Sequence, residues 1–257
     1  MANVRLSEEQ IERYWEQGYL LLPGLVPERR LAAYEERFVA LACGEAPPAP
    51  AMKIMRDVMV VKGAVTPATP LHGVNKLVSF EDDAALYGYT LEPGLLGAVC
   101  SLVGDDLYSV STNVFNKPPN VDGRHPLHQD LRYFRIRPAN RIVGTWTAFG
   151  ATSRENGCLA VIPGSHKGPL LDHGNPDWEH VNAGFFGIEP AGLGERVHVP
   201  MAVGDTLLFH PLLIHGSGHN RSDGFRRAIS CHYAAADCES PGLDWRVREQ
   251  ARRIETP

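Results

Sequence analysis

His128-Gln129-Asp130 is the one His-x-Asp triplet in the chain. With 11 histidines among 257 residues, a single such triplet is close to chance and means little alone. On an extended strand, however, positions i and i+2 point the same way. An imidazole and a carboxylate would then converge on one cation, and a third ligand must come from elsewhere. His215 is the candidate: it follows the β-type run 205–209 and opens the expected turn His215-Gly216-Ser217-Gly218. Two histidines and one carboxylate leave three octahedral positions open, the arrangement of non-haem Fe(II) oxygenases. Zinc is the rival metal, and with these ligands it would serve hydrolysis.

Arg226 decides between them. It stands at the start of the β-type run 226–234, where it can point inward beside the metal. A buried guanidinium needs a partner, and no acidic residue nearby in sequence offers one. A dicarboxylic cosubstrate supplies it, with one end on iron and the far carboxylate in a bidentate bond to arginine. Ser217 can add a hydroxyl hydrogen bond. The pair Ser217 and Arg226 therefore points to 2-oxoglutarate. Neighbouring Arg227 should face the other side of the strand and be solvated.

The elements that must position these groups are short. Ser7 and Gln10 form a capping box opening a helix that Gly18 closes. Tyr19–Leu22 reads as a strand. A helix from Pro27 to Gly44 spaces Leu31, Tyr34, Phe38 and Leu41 along one face. Residues 46–51 (APPAPA) are a loop, 53–61 a strand and 93–103 a short buried helix that begins with proline. From Leu107 onward β-type runs recur at 107–116, 141–149, 158–162, 196–200, 205–209 and 226–234. Turn signals such as Asn120–Gly123, Pro163–Gly164 and Gly204–Asp205 separate them, which suggests a sandwich or barrel. The expected organisation is one domain over 1–257, helical to about 105 and a β core over about 106–239.

Composition narrows the class. Charged residues are 21%, hydrophobic ones 44%, and the formal net charge is −5, so nothing drives phosphate neutralisation and no nucleic-acid partner is expected. Five scattered cysteines (Cys43, Cys100, Cys158, Cys231, Cys238) without a Cys-x-x-Cys argue for a reducing compartment and buried, inert thiols. There is no apolar leader, no run long enough to span a bilayer and no C-terminal lipidation signal. The expectations are a cytoplasmic location, no membrane partner and a monomer or homodimer.

Several segments carry a resemblance: Pro126-Leu127-His128-Gln129-Asp130-Leu131, Asn156-Gly157-Cys158-Leu159, Pro163-Gly164-Ser165-His166-Lys167-Gly168, the run from His210 to Gly218, and Gly224-Phe225-Arg226-Arg227-Ala228-Ile229-Ser230. Met55-Arg56-Asp57 and Asn116-Lys117-Pro118-Pro119 belong with them. Over roughly residues 6–239 the chain resembles the phytanoyl-CoA dioxygenase family. The resemblance implies a mainly β double-stranded β-helix (jelly roll, cupin-like) with flanking helices. It implies Fe(II) on His128, Asp130 and His215, with 2-oxoglutarate on Arg226 and Ser217 and O2 as the oxidant. Trp146, Lys76 and Asn113 fall where relatives line the same pocket. It also implies hydroxylation, with release of succinate and CO2, because family members that halogenate lack the carboxylate at position 130.

The substrate this implies is a small molecule, in first place an acyl-CoA or related carboxylic acid derivative oxidised next to its carbonyl. Three other readings stay open: a small metabolite or natural-product intermediate as substrate, a jelly roll that binds metal and 2-oxoglutarate without turnover, and a zinc-dependent cupin-like hydrolase or isomerase. His125, Arg132 and Arg135 are the candidates for an entrance that attracts an anionic substrate; the plain alternative is a solvated loop. His232 and His210 read as hydrogen-bonded core or rim residues, and His166 as the holder of its turn.

Overall fold

The structure is a computed structural model that describes residues 5–119, 121–242 and 244–255; Asn120, expected at a turn, lies outside them. Helix α1 (Glu8–Gln17) opens on the expected capping box. Ser7 Oγ accepts from the Gln10 N–H at 3.2 Å, and Gln10 Oε1 accepts from the Ser7 N–H at 2.9 Å. It closes on Gly18 at φ 82°, where a Cβ would lie 2.3 Å from His166 Nδ1, so only glycine fits the turn into β1 (Tyr19–Leu22). Helix α2 (Glu28–Cys43) buries Leu31, Tyr34, Phe38 and Leu41, the stripe its spacing predicted.

The run 53–61 is not one strand. β2 (Lys53–Arg56) stops at Asp57, whose carboxylate accepts from the Met59 N–H at 2.9 Å and caps the short helix α3 (Val58–Val61). A side-chain cap overrides the β preference of Val58, Val60 and Val61. Then come β3 (Val74–Val78), α4 (Ala84–Tyr87) and the buried α5 (Pro93–Val103). The later strands are β4 (Leu107–Lys117), β5 (His125–His128), β6 (Ile142–Ala148), β7 (Leu159–Val161), β8 (Val197–Val199), β9 (Thr206–Phe209), β10 (His215–Ser217) and β11 (Arg226–Ala235). Helix α6 (Trp245–Arg248) and β12 (Arg252–Ile254) follow.

Two antiparallel sheets result. The larger runs β1-β9-β6-β11-β4-β3-β2, with β12 also on β4; the smaller runs β5-β10-β7-β8. Alternation along β11 shows how the layers are made. Ile229, Cys231 and Tyr233 enter the core beneath the helices, with Leu77, Val114 and Phe38. Ala228 turns the other way, into the inter-sheet core with Trp146, Leu159, Leu207 and Phe209. Arg226, Ser230 and His232 share that second face and line a cavity between the sheets. The sheets face each other as a double-stranded β-helix rather than closing into a barrel.

Candidate metal centre and cosubstrate pocket

His128 ends β5, and Asp130 opens a 3-10 turn, Asp130–Arg132. Asp130 is therefore not in a strand, but Gln129 between them is extended (φ −119°, ψ 127°), which keeps both side chains on one side. His215 sits in strand β10, not in a turn, directly opposite His128 in register. All three are buried, and one ligand atom from each lies within 4.8 Å of the others. His128 Nε2 is 3.1 Å from Asp130 Oδ1, and His215 Nε2 is 3.8 Å from Oδ2.

Protonation makes this a ligand set. The His128 Nδ1–H donates to the Pro126 carbonyl at 2.8 Å, and the His215 Nδ1–H to the Leu213 carbonyl at 3.0 Å. Both Nε2 lone pairs are thereby turned toward the carboxylate. Burial, and then His128, push His215 down to about 4. Burial alone would raise the Asp130 carboxyl, but the imidazoles around it, with a hydrogen bond from His232 at 2.8 Å, hold it well below the ordinary range. Neutral imidazoles and an ionised carboxylate are what a divalent metal requires. Lone pairs converging with no proton between them fit a cation.

The pocket beside the ligands is a cavity of about 300 Å³. Arg226, at the start of β11, is 3% exposed, and its Nε has no hydrogen-bond partner. Among the described residues no carboxylate pairs with it, and burial pushes it down to about 9. Its guanidinium stands 5.4 Å from the centre of the Trp146 ring. Ser217, two residues beyond His215, lines the same space, as do Lys76 and Asn113. Burial pushes the Lys76 ammonium down to about 8, against the pull of Asp130. Asn113 donates to Ser111 Oγ at 3.3 Å. The orphaned guanidinium fits the distal carboxylate of a dicarboxylic cosubstrate.

His125 also faces the cavity, stacked between His128 at 4.4 Å and Phe185 at 3.9 Å. Arg132 and Arg135 do not line it. Both are exposed, with Arg132 over the Phe186 ring at 4.6 Å. Arg227 does turn to the opposite face, but it is not solvated; Glu35 of α2 binds it there.

Three residues take particular roles at the site that the sequence reading did not assign. Lys117 is buried opposite Arg226 and donates to Ser217 Oγ at 2.7 Å and to the Gly218 carbonyl; burial, and then Arg226, hold it well below its ordinary value. Gln129 is fully buried and brackets the ligand loop. Its amide donates to the Pro169 and Leu212 carbonyls at 3.1 and 2.9 Å and accepts from the Leu171 N–H at 2.8 Å. His232 Nε2 lies 2.8 Å from Asp130 Oδ2. Lys117 and Gln129 lie inside segments that carry the family resemblance, and His232 is the buried, hydrogen-bonded residue that its place in a β-type run suggests.

Residues 14–228 match the family described as phytanoyl-CoA dioxygenase (PhyH). The chain belongs to the phytanoyl-CoA dioxygenase family. It is 44% identical over 238 residues to the peroxisomal phytanoyl-CoA dioxygenase of Bos taurus, covering 91% of this chain and 70% of that one. To the Homo sapiens protein of the same description it is 43% identical over 243 residues, covering 93% and 71%. Among solved structures, the epimerase SnoN in complex with Fe3+, alpha ketoglutarate and nogalamycin RO aligns with a TM-score of 0.68 at 22% identity, over 92% of this chain and 87% of that one. EvdO2 from Micromonospora carbonacea, complexed with 2-oxoglutarate, aligns at 0.66 and 21%, over 94% and 96%. These likenesses give the double-stranded β-helix fold.

Family membership makes the protein a non-haem iron dioxygenase that uses 2-oxoglutarate and O2. Among the described residues, no helix is long and apolar enough to cross a membrane. The mammalian relatives are described as peroxisomal, so they lend nothing to the cytoplasmic expectation.

Proposed function

We propose that this protein is an Fe(II)- and 2-oxoglutarate-dependent hydroxylase of an acyl-CoA or related carboxylic acid derivative, oxidised next to the carbonyl. One observation carries the cosubstrate half of that reading: a buried guanidinium that no carboxylate pairs with among the described residues, beside two imidazole nitrogens turned toward the Asp130 carboxylate. The relatives, described as phytanoyl-CoA dioxygenases, carry the substrate half. In this reading His128 Nε2, Asp130 and His215 Nε2 hold iron, which supplies O2 activation coupled to decarboxylation of the keto acid to succinate and CO2.

The chain's own residues bind and orient. Arg226 takes the far carboxylate of 2-oxoglutarate. Ser217 Oγ already accepts from Lys117, so its own proton is free for the same carboxylate. Trp146 backs the guanidinium and excludes water, while Lys76 and Asn113 close the side walls. Met55, Tyr133 and Phe185 also line the cavity and would take the substrate's apolar part, with His125 beside His128. Arg132 and Arg135, outside the cavity, would meet an anionic headgroup on the surface.

We also read residues 1–257 as one dioxygenase domain. Support comes from strands of both chain ends in one sheet, with β1 on β9 and β12 on β4. Acyl-CoA-stimulated release of succinate from 2-oxoglutarate tests the substrate. Stimulation by free carboxylic acids or unrelated metabolites alone would remove the thioester from the reading. Asp130→Ala should abolish turnover; full turnover in that variant would remove the metal assignment.

A further inference from the structure

Three imidazoles surround the Asp130 carboxylate, and they are not equivalent. His128 and His215 give their Nδ1 protons to backbone carbonyls and turn lone pairs inward. His232, on β11, does the reverse. Its Nε2 is 2.8 Å from Asp130 Oδ2, and its Nδ1 is buried with no hydrogen-bond partner among the described residues. A carboxylate only accepts, so Nε2 carries the proton. A proton on Nδ1 would be a buried donor with nothing to receive it, so that nitrogen is bare. The ring cannot turn freely, because Phe134 and Phe209 flank it with centroids at 4.9 and 5.7 Å. His232 therefore presents a hydrogen rather than a lone pair to the carboxylate, and it presents it to one oxygen. The other oxygen, Oδ1, stands 3.1 Å from His128 Nε2.

We propose that His232 is a positioning residue that confines Asp130 to binding iron through a single oxygen, and so keeps a coordination position open for O2. The inference rests on the iron and 2-oxoglutarate reading above. Two imidazoles and one carboxylate oxygen fill three of six positions, the keto acid takes two more, and one remains. A carboxylate bound through both oxygens would fill that last position. A hydrogen bond to Oδ2 draws electron density from that oxygen and fixes its orientation, which makes it the weaker of the two as a metal ligand. Without it, no other hydrogen bond among the described residues competes with the metal for that oxygen.

The experiment compares wild type, His232→Leu and His232→Gln under anaerobic conditions, with Fe(II), 2-oxoglutarate and nitric oxide as a stand-in for O2. Glutamine keeps an amide donor; leucine has none. In wild type, the charge-transfer band of chelated 2-oxoglutarate reports the starting complex, and its absence would sink both the reading and this inference. His232→Leu should keep Fe(II) binding and the band, yet bind nitric oxide about tenfold more weakly, the equivalent of one lost charge-assisted hydrogen bond. His232→Gln should restore most of that affinity. Equal nitric oxide affinity in wild type and His232→Leu overturns the inference while leaving the cosubstrate assignment intact. Loss of Fe(II) binding in both variants also overturns it, because His232 would then serve metal retention rather than the open position.

Discussion

Replacing Arg226 with methionine should make the ligand-free protein more stable and nearly blind to 2-oxoglutarate. Burial pushes the guanidinium down to about 9, from an ordinary value above ~12. That drop corresponds to roughly 4 kcal/mol against holding the charge, at about 1.36 kcal/mol per pH unit. A cation whose folded value is depressed destabilises the fold throughout the range below that value, and relief begins only above about pH 9. Stacking against Trp146 at 5.4 Å returns about 1 kcal/mol, and local relaxation removes another part of the penalty. The variant should therefore gain about 1–3 kcal/mol, or roughly 2–10 °C in Tm for a chain of this length. Binding moves the other way. Two charge-assisted hydrogen bonds at about 1.5–3 kcal/mol each mean a loss of roughly 100-fold or more in 2-oxoglutarate affinity, at about 1.4 kcal/mol per decade. Thermal denaturation with Mn(II), with and without 2-oxoglutarate, measures both. A variant that melts lower than wild type and still gains the full ligand shift refutes the reasoning: Arg226 would then be a structural cation, and another group would hold the carboxylate.

Lys117→Met should weaken 2-oxoglutarate about tenfold without changing Fe(II) affinity, because Ser217 loses the donor that orients its hydroxyl; calorimetry with Mn(II) separates the two constants. Gly216→Ala should cost about 1–3 kcal/mol and weaken metal binding. Its Cβ would stand 2.9 Å from the His125 and Pro126 carbonyls and push β10 off β5; denaturant melts and metal titration read each effect. Burial holds His210 and His215 near 4, below the ordinary ~6.5, so their contribution is whole above pH ~6.5 and lost as pH falls toward 4. Metal-free protein should lose up to about 3 kcal/mol per ring over that window. His210→Asn, which keeps an acceptor for the Leu212 N–H, should flatten the curve, and an already flat wild-type curve would show that the rings stay hydrated.

The strands readable in the sequence are those whose β-type run is marked off by turn signals: β4, β6, β9 and β11 appear within a residue or two of 107–116, 141–149, 205–209 and 226–234. β3 (VNKLV), β5 (HPLH), β10 (HGS) and β12 (RRI) break any apolar run with polar residues, so no pattern declares itself. They exist because a neighbouring strand satisfies their backbone groups, as β7 and β5 do for β10. The site divides the same way. His128, Asp130, His215 and Arg226 were readable because their chemistry is specific to their type. Lys117, Gln129 and His232 were not, because their roles are conferred by partners far along the chain. Lys117 meets Ser217 100 residues away, and His232 meets Asp130 102 residues away. Arg227 was misjudged for the same reason, since Glu35 lies 192 residues from it.

The pairing of His128 with His215 across β5 and β10 also sets a schedule. During synthesis the first two donors leave the ribosome long before the third, and no stretch of nascent chain carries all three together. A fragment ending before β10 holds only two of the three candidate ligands, His128 and Asp130, too few to discriminate among divalent ions. Metal choice is thus deferred to a chain whose sheets have already closed, where the geometry of the folded cavity does the choosing. Copper or zinc met before then finds at most two of the three candidate ligands, so the order of residues along the polypeptide delays the centre until its last ligand is made.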